Sequence, residues 1–185
     1  MGTEETAVVR VKGGSIRSKL VFVRDTFGEE AEQEFVDLLE EHGVGVVLEA
    51  SWYDYKLFDR ILRAIADRHF GGKLAGLRAV GRFSARYALN TTYQAFLNAR
   101  DIHGFLRRLA RLHSRYYDQG KLILAQKQQT RYEITLIGQP VYYETDMQVA
   151  AGFYAGAAEM MSCRDVSCQA QILTGRVVFD LHWVE

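Results

Sequence analysis

Residues 162–185, SCRDVSCQAQILTGRVVFDLHWVE, contain two short runs of β-forming residues on either side of a Thr174-Gly175 turn. Runs rich in valine, isoleucine and aromatic residues around a glycine turn are typical of a β-hairpin. A second pair of such runs covers residues 121–126 and 131–137, joined by a polar link. Strands joined by hairpin-length links pair antiparallel. The second half of the chain therefore predicts an antiparallel sheet.

Upstream of these strands, helical periodicity dominates. Residues 7–12 predict a first strand, and apolar residues then recur at three-to-four-residue spacing through several segments. Thr26 has capping-box spacing ahead of one helix, and Asp101 is a suitable N-cap for another. The helices predicted in this way cover residues 15–24, 30–41, 56–70, 74–88, 102–116 and 143–161. The fold class predicted is α+β, with helices packed on one antiparallel sheet of about four to five strands, in a single domain spanning 1–185.

The charge and cysteine content of the chain limit the classes of function that the protein can have. The chain has 185 residues and a formal net charge of zero, with 23 basic and 23 acidic side chains. No overall field attracts nucleic acid, and the sequence predicts no membrane span. Two cysteines are too few for a disulfide scaffold, which favours a cytoplasmic location. Near-zero net charge also favours self-association, so a homodimer, or a pairing with a related paralogue, is expected.

Several segments together resemble one known family. They are KGGS at 12–15, LVFVRDTFGEE at 20–30, SWYDYKLFDR at 51–60, GRFSARYALN at 81–90 and DIHGFLRRLARLHSRYYDQG at 101–120. In order along the chain, they resemble the Myxococcales paralogous family, a set of bacterial proteins of unknown function. That family is similar to the 4-vinyl reductase domain, the haem-based nitric-oxide sensor domains and the TRAPP vesicle-tethering subunits. The resemblance implies helices on one antiparallel sheet, and a binding or assembly module instead of a catalyst.

The resemblance also raises two possible ligands, a metal ion and haem. In the 4-vinyl reductase group, the terminal hairpin carries one cysteine on each side of a glycine turn. Here Cys168 and Gly175 match that pattern, but Val178 stands at the second cysteine position, so no metal site is predicted. Haem requires a histidine facing an apolar pocket, and His113 is the best placed of five. The Tyr-x-Ser-x-Arg motif of the haem sensors is absent, so the expectation is a surface histidine and no cofactor.

Catalytic motifs are missing from the sequence. There is no Gly-x-Ser-x-Gly elbow, no His-Glu-x-x-His pair and no glycine-rich phosphate loop. We therefore expect the protein not to be an enzyme.

Candidate binding residues fall into two groups. Aromatic residues near the helix ends could line a pocket for a small apolar ligand such as an acyl chain, although aromatic stripes are more often core. These are Trp52, Tyr55, Phe83, Tyr87 and Phe96. Partner contacts are predicted at Arg107, Arg111 and Arg115, which share a helix face, and at Gly152 and Gly156, where small residues allow close approach. The arginines could equally form a solvated face, and the glycines could pack on the protein's own sheet.

The function predicted from the sequence is thus a non-catalytic binding or scaffold module, dimeric, in a bacterial regulatory or assembly pathway. The alternative is a sensor domain that binds a small apolar ligand, either an acyl chain or haem.

Overall fold

A computed structural model of the chain describes residues 8–91 and 93–184, so the start of the predicted first strand and both ends of the predicted 1–185 domain lie outside it. The fold is α+β, as the sequence predicts. The strands are β1 (Arg10–Lys12), β2 (Trp52–Asp54), β3 (Lys121–Gln128), β4 (Arg131–Ile137), β5 (Arg164–Leu173) and β6 (Arg176–Val184). The helices are α1 (Gly13–Phe27), α2 (Glu29–Glu41), α3 (Tyr55–Phe70), α4 (Leu77–Asn90), α5 (Gln94–Ala99), α6 (Ile102–Leu112) and α7 (Glu144–Met160).

The main sheet has four antiparallel strands in the order β3-β4-β6-β5. The terminal hairpin supplies β5 and β6, and Gly175 adopts a φ of 72° at its turn, a conformation that favours glycine. Its two strands pair with Ile172 opposite Val177 and Cys168 opposite Leu181. A separate two-stranded ribbon pairs β1 with β2, and the sequence gives little sign of β2 because it has three residues.

Helix ends follow the capping residues in most places. The side chain of Asp101 accepts a hydrogen bond from the Gly104 amide at 2.7 Å, which confirms this residue as the N-cap of α6. The capping box predicted at Thr26 is wrong, because Thr26 lies inside α1 and α2 begins after Gly28. Gly28 has a φ of 102°, so a glycine breaks the two helices where a hydroxyl cap was expected.

Buried apolar side chains form two clusters. One is built from α1, α2, α3 and the start of α4, and its largest side chains include Phe35 and Phe58. The other is built from the end of α4, α5, α6, α7 and the main sheet, with Phe105 and Phe179 among its largest members. Helix α7 belongs to both, since Val149 packs in the first cluster while its neighbours Met147 and Ala151 pack in the second.

Helices α4 and α7 approach each other backbone to backbone. A Cβ atom on Gly81 would overlap the Val149 carbonyl oxygen, and one on Gly152 would overlap the Arg78 carbonyl oxygen. On Gly156 a Cβ would lie 2.9 Å from the Cα of Arg82. Only glycine permits this separation, because any larger residue places a side chain inside the neighbouring backbone.

We expect Gly152→Ala to lower the free energy of unfolding by about 1–3 kcal/mol, the usual cost of forcing an extra methyl group into a packed contact. Urea denaturation measures the change. The matched control is Gly14→Ala, also in a helix, where the nearest atom lies 3.9 Å from the added Cβ. The control should be neutral or slightly stabilising, and equal losses in both variants would contradict the role assigned to the α4–α7 contact.

Candidate functional site

A cavity of about 440 Å³ lies at the junction of the two apolar clusters. Its walls come from the first turns of α1, the second half of α4, the end of α6 and the following turn, the start of β3, and the first half of α7. Tyr93, Phe153 and Tyr154 provide aromatic surface, and Val149 and Leu109 provide aliphatic surface. This volume is within the range of about 300–1,000 Å³ that is typical of sites for small ligands and cofactors.

His113 lines this cavity. It was predicted to be a surface histidine, which is wrong: the residue is 6% exposed. Helix α6 ends at Leu112, and His113 begins the 3-10 turn that follows it. The imidazole ring stacks on the Tyr117 ring at a centroid distance of 5.0 Å. Its Nε2 atom is buried and has no hydrogen-bond partner. Burial lowers the pKa of His113, while interaction with the Gln119 backbone opposes that shift, so the imidazole is neutral at pH 7.

The segment that follows His113 is held by the first strand. The Lys12 amide donates to the Tyr116 carbonyl at 2.9 Å, and the Asp118 amide donates to the Arg10 carbonyl at 3.1 Å. These bonds tie the turn after α6 to β1, which belongs to the other apolar cluster. The position of His113 therefore depends on contacts between distant parts of the chain.

A buried carboxylate lies at the floor of the cavity. Asp146, on α7, accepts a hydrogen bond from the Tyr55 hydroxyl at 2.9 Å and from the Tyr117 hydroxyl at 3.0 Å. Burial raises the pKa of Asp146, and the two hydrogen bonds act against that shift. Burial also raises the pKa of both tyrosines well above its ordinary value, so they remain donors. A smaller cavity of about 50 Å³ lies beyond this carboxylate and is lined by Tyr55 and Phe179.

A buried cation lies on another wall. Lys19, on α1, is 5% exposed, and its Nζ atom is 3.2 Å from the hydroxyl oxygens of both Ser18 and Ser84. Burial lowers the pKa of Lys19 to about 8, with Asp146 acting in the opposite direction. Lys19 is therefore mostly charged at pH 7, in a place where charge is costly.

The structure brings two of the predicted aromatic ligand residues to these cavities. Tyr87, 48% exposed, lines the mouth of the larger cavity, and Tyr55 lines the smaller one. The other three lie elsewhere because each packs with a local neighbour. The ring centroids of Phe83 and Phe22 are 5.4 Å apart, and those of Phe96 and Phe105 are 6.2 Å apart. The Lys12 ammonium lies 4.0 Å from the centroid of the Trp52 ring.

The predicted partner residues lie in two different environments. Arg107, Arg111 and Arg115 are exposed, the first two on α6 and the third on the turn after it. Gly152 and Gly156 are buried against α4 of the same chain. The sequence predicts that they pack on the sheet or on a second subunit, and α4 is neither. The close approach expected of these glycines is thus made within the chain.

Both cysteines are free thiols: Cys168 lies in β5 of the terminal hairpin, and Cys163 immediately precedes β5. Cys168 is buried, which raises the pKa of its thiol to about 12, and Cys163 is partly buried. Among residues 8–91 and 93–184, no three His, Cys, Asp or Glu side chains lie close enough together to share a metal ion. Within the same residues, no helix is both long enough and apolar enough to cross a bilayer.

Sequence reasoning missed Lys19, Asp146 and Tyr117. A signal for Lys19 exists, since it occurs one turn after Ile16 and one turn before Val23, on the apolar stripe of α1. A lysine at such a position is unusual. Asp146 gives no comparable signal, because an acidic residue in the first turn of a helix is ordinary.

The fold has counterparts among solved structures. Solved structures similar to this chain are H-NOX domains, the haem nitric-oxide-binding class, and the likeness extends over 94% of the chain. One, from S. oneidensis, was solved in the Fe(II)NO ligation state and has a TM-score of 0.71 at 14% identity, with 99% of that chain covered. An A71G mutant from K. algicida in the Fe(II) unliganded state has a TM-score of 0.69 at 14% identity, with 97% covered. An oxygen-binding H-NOX domain related to soluble guanylate cyclases, in its oxygen complex, has a TM-score of 0.68 at 15% identity, with 95% covered.

At these identities the likeness shows the fold. Searches of family models and of curated proteins found no match, so they do not confirm the resemblance to the Myxococcales paralogous family or to the 4-vinyl reductase and TRAPP groups. The broader part of the expectation, a likeness to the haem-based sensor domains, is confirmed at the level of fold.

We expect Lys19→Met to stabilise the protein at pH 7. The pKa of Lys19 is about 8 in the folded protein and 10.5 in the unfolded chain. Keeping this lysine charged in the folded protein at pH 7 therefore costs about 3 kcal/mol of stability. As pH rises from 8 to 10.5, folded Lys19 loses its proton before the unfolded chain does, so wild-type stability should rise relative to the variant. Urea denaturation at pH 7 and pH 10 checks this. The exposed Lys56, changed to Met, is the control, and parallel pH curves for wild type and Lys19→Met would contradict the assignment.

Proposed function

We propose that this chain is a non-catalytic sensor domain that binds a small, largely apolar ligand in the 440 Å³ cavity. The observation that carries the proposal is the cavity together with the buried, unpartnered Nε2 of His113 on its wall. A buried polar atom without a partner is rare in native proteins, and a functional role is one of its recognised explanations. The H-NOX neighbours support the sensor alternative over a scaffold module, because their names describe domains that bind oxygen and nitric oxide.

Haem is the first candidate for the ligand. A haem iron requires an axial side chain that is neutral, buried and free to donate a lone pair, and His113 fits on all three counts. The contact with the Gln119 backbone would orient the ring, as a second bond normally does for a ligating histidine. Bound haem would supply an iron atom able to take up a diatomic gas.

The residues of this chain would then perform three tasks. His113 would hold the ligand from one side, the aromatic wall of Phe153 and Tyr154 would exclude water, and the floor at Asp146 would close the cavity through the hydroxyls of Tyr55 and Tyr117. An apolar ligand without iron, such as an acyl chain, would use the aromatic wall without requiring His113.

We expect purified protein mixed with hemin to show a shifted and sharpened Soret band, and His113→Ala to lose that shift and bind hemin about 10-fold more weakly or worse. His69→Ala is the matched control: its Nε2 is also buried and unpartnered, but it stacks on Phe27 at 4.0 Å and does not line the cavity. In His113→Gly, added imidazole should restore the wild-type spectrum.

An unshifted wild-type spectrum, or equal spectra for wild type and His113→Ala, would exclude haem held by His113. Native mass spectrometry of the protein as purified tests the wider proposal. A retained small molecule supports it, and an apo mass that persists after incubation with hemin and with fatty acids contradicts it.

The predicted homodimer or paralogue contact remains part of this proposal through the exposed arginines of α6. A sensor must pass its state to another surface, and Arg107 and Arg111 offer cationic groups for a partner's carboxylates.

A further inference from the structure

Lys19 is a charged group buried at the cavity wall. Its ammonium is almost fully buried on a cavity wall, where an unpaired charge is expensive unless something compensates for it. A protein that carries such a cost at a cavity commonly does so for function, since a hydrophobic residue of similar size would be more stable there.

The hydrogen bonds of Lys19 leave one donor unused. An ammonium group has three N–H donors. The Ser18 hydroxyl donates to the Ser15 carbonyl at 2.9 Å, and the Ser84 hydroxyl donates to the Val80 carbonyl at 3.0 Å. With their protons committed to these carbonyls, both oxygens accept from Lys19, at 3.2 Å each. The Nζ atom also lies 5.7 Å from the centre of the Phe58 ring, a weak cation–π contact. Within residues 8–91 and 93–184 no further oxygen or nitrogen accepts the third N–H, and Lys19 lines the cavity.

No carboxylate is placed to neutralise Lys19 directly. In the described ranges, no acidic oxygen lies within 4.0 Å of its Nζ atom. Asp146 acts on it through space, but the oxygens of Asp146 already accept hydrogen bonds from Tyr55 and Tyr117. Glu49, at the rim, is exposed and lies 3.4 Å from Arg17. The cavity thus contains a cation whose counter-charge, Asp146, acts only through space, and whose N–H groups lack a full set of oxygen acceptors.

The start of α1 forms the wall that carries Lys19. Gly14, Ser15, Ser18 and Lys19 all come from the first two turns of this 15-residue helix and all line the cavity. The first amides of the helix are already bonded, since Gly13 donates to the Ser51 carbonyl at 2.9 Å and Gly14 to the Glu49 carbonyl at 3.1 Å. Lys19 therefore supplies the positive charge of this wall. The remaining walls are aromatic and aliphatic, so the cavity combines one anion-binding end with an apolar body.

We propose that Lys19 binds the carboxylate of the ligand, and that the ligand is an amphipathic carboxylic acid whose apolar part occupies the aromatic wall. The inference rests on the proposed function, because it names the chemistry of the molecule in the same cavity. The ligand's carboxylate would accept the third N–H and place a negative charge in direct contact with the ammonium. Such a charge-assisted bond is roughly twice as strong as a neutral one.

Two sources offer this chemistry: the propionates of haem, and the carboxylate of a fatty acid. Each has an uncharged counterpart of nearly the same shape. Hemin can be compared with its dimethyl ester, and decanoate with decanol. A role for Lys19 predicts a preference for the acid in each pair.

Isothermal titration calorimetry with these four ligands tests the proposal on wild type, Lys19→Met and Lys19→Gln. We expect wild type to bind at least one acid about 10- to 100-fold more tightly than its neutral counterpart. Both Lys19 variants should lose that preference while their affinity for the neutral ligand stays unchanged. Lys56→Met, which removes an exposed lysine outside the cavity, should behave as wild type.

The outcomes separate this proposal from the previous one. If acid and neutral ligands bind equally and the Lys19 variants change nothing, the cavity binds ligands but Lys19 does not hold a carboxylate. If no ligand of either pair binds wild type, the proposed function fails and this inference fails with it. Tighter binding of hemin or of decanoate, lost on substitution of Lys19, supports the proposal and identifies which source it is.

Discussion

The backbone contact between α4 and α7 is the constraint on which the rest of the structure depends. Gly81, Gly152 and Gly156 let the two helices approach until their backbones touch. Both helices extend from one apolar cluster into the other, so this contact determines how the two clusters meet. The cavity lies where they meet, with Ser84 and Tyr87 contributed by α4, and Asp146 and Phe153 contributed by α7. A larger distance between α4 and α7 would change both the shape of the cavity and the packing of the two clusters.

The cavity is also where the chain departs from ordinary packing. A neutral histidine with an unpartnered nitrogen, a buried ammonium and a buried carboxylate face a space lined mainly by aromatic rings. Each group is unfavourable to bury alone. The carboxylate is compensated by two tyrosine hydroxyls, whereas His113 and Lys19 each keep one unused hydrogen-bonding position. A ligand with a lone-pair acceptor site at one end and a carboxylate at the other would satisfy both.

The sequence predicts most of the elements, because local signals are sufficient for them. Apolar spacing located α3 and α6, Asp101 marked the start of α6, and the Thr174-Gly175 turn marked the terminal hairpin. The predicted helix boundary was wrong where two local signals lay close together. Thr26 has capping-box spacing, but the helix continues past it because Gly28 provides a sharper break two residues later. The strand β2 escaped notice because three residues show no periodicity, and its pairing with β1 is a long-range contact.

By itself, the sequence determined the fold class, the antiparallel pairing of the late strands and the absence of familiar catalytic motifs, since these follow from residue spacing along the chain. The tertiary structure alone decided the site. His113 is buried because β1 holds the turn after α6, and the aromatic residues Phe83 and Phe96 are core because nearby rings cover them. Lys19 and Asp146 are 127 positions apart in the chain. They line one cavity because Lys19 on α1 contacts Ser84 on α4, and the glycines bring α4 against α7, which carries Asp146. The spacing of residues along the chain does not show that Lys19 and Asp146 line the same cavity, because that arrangement depends on how closely the helices pack.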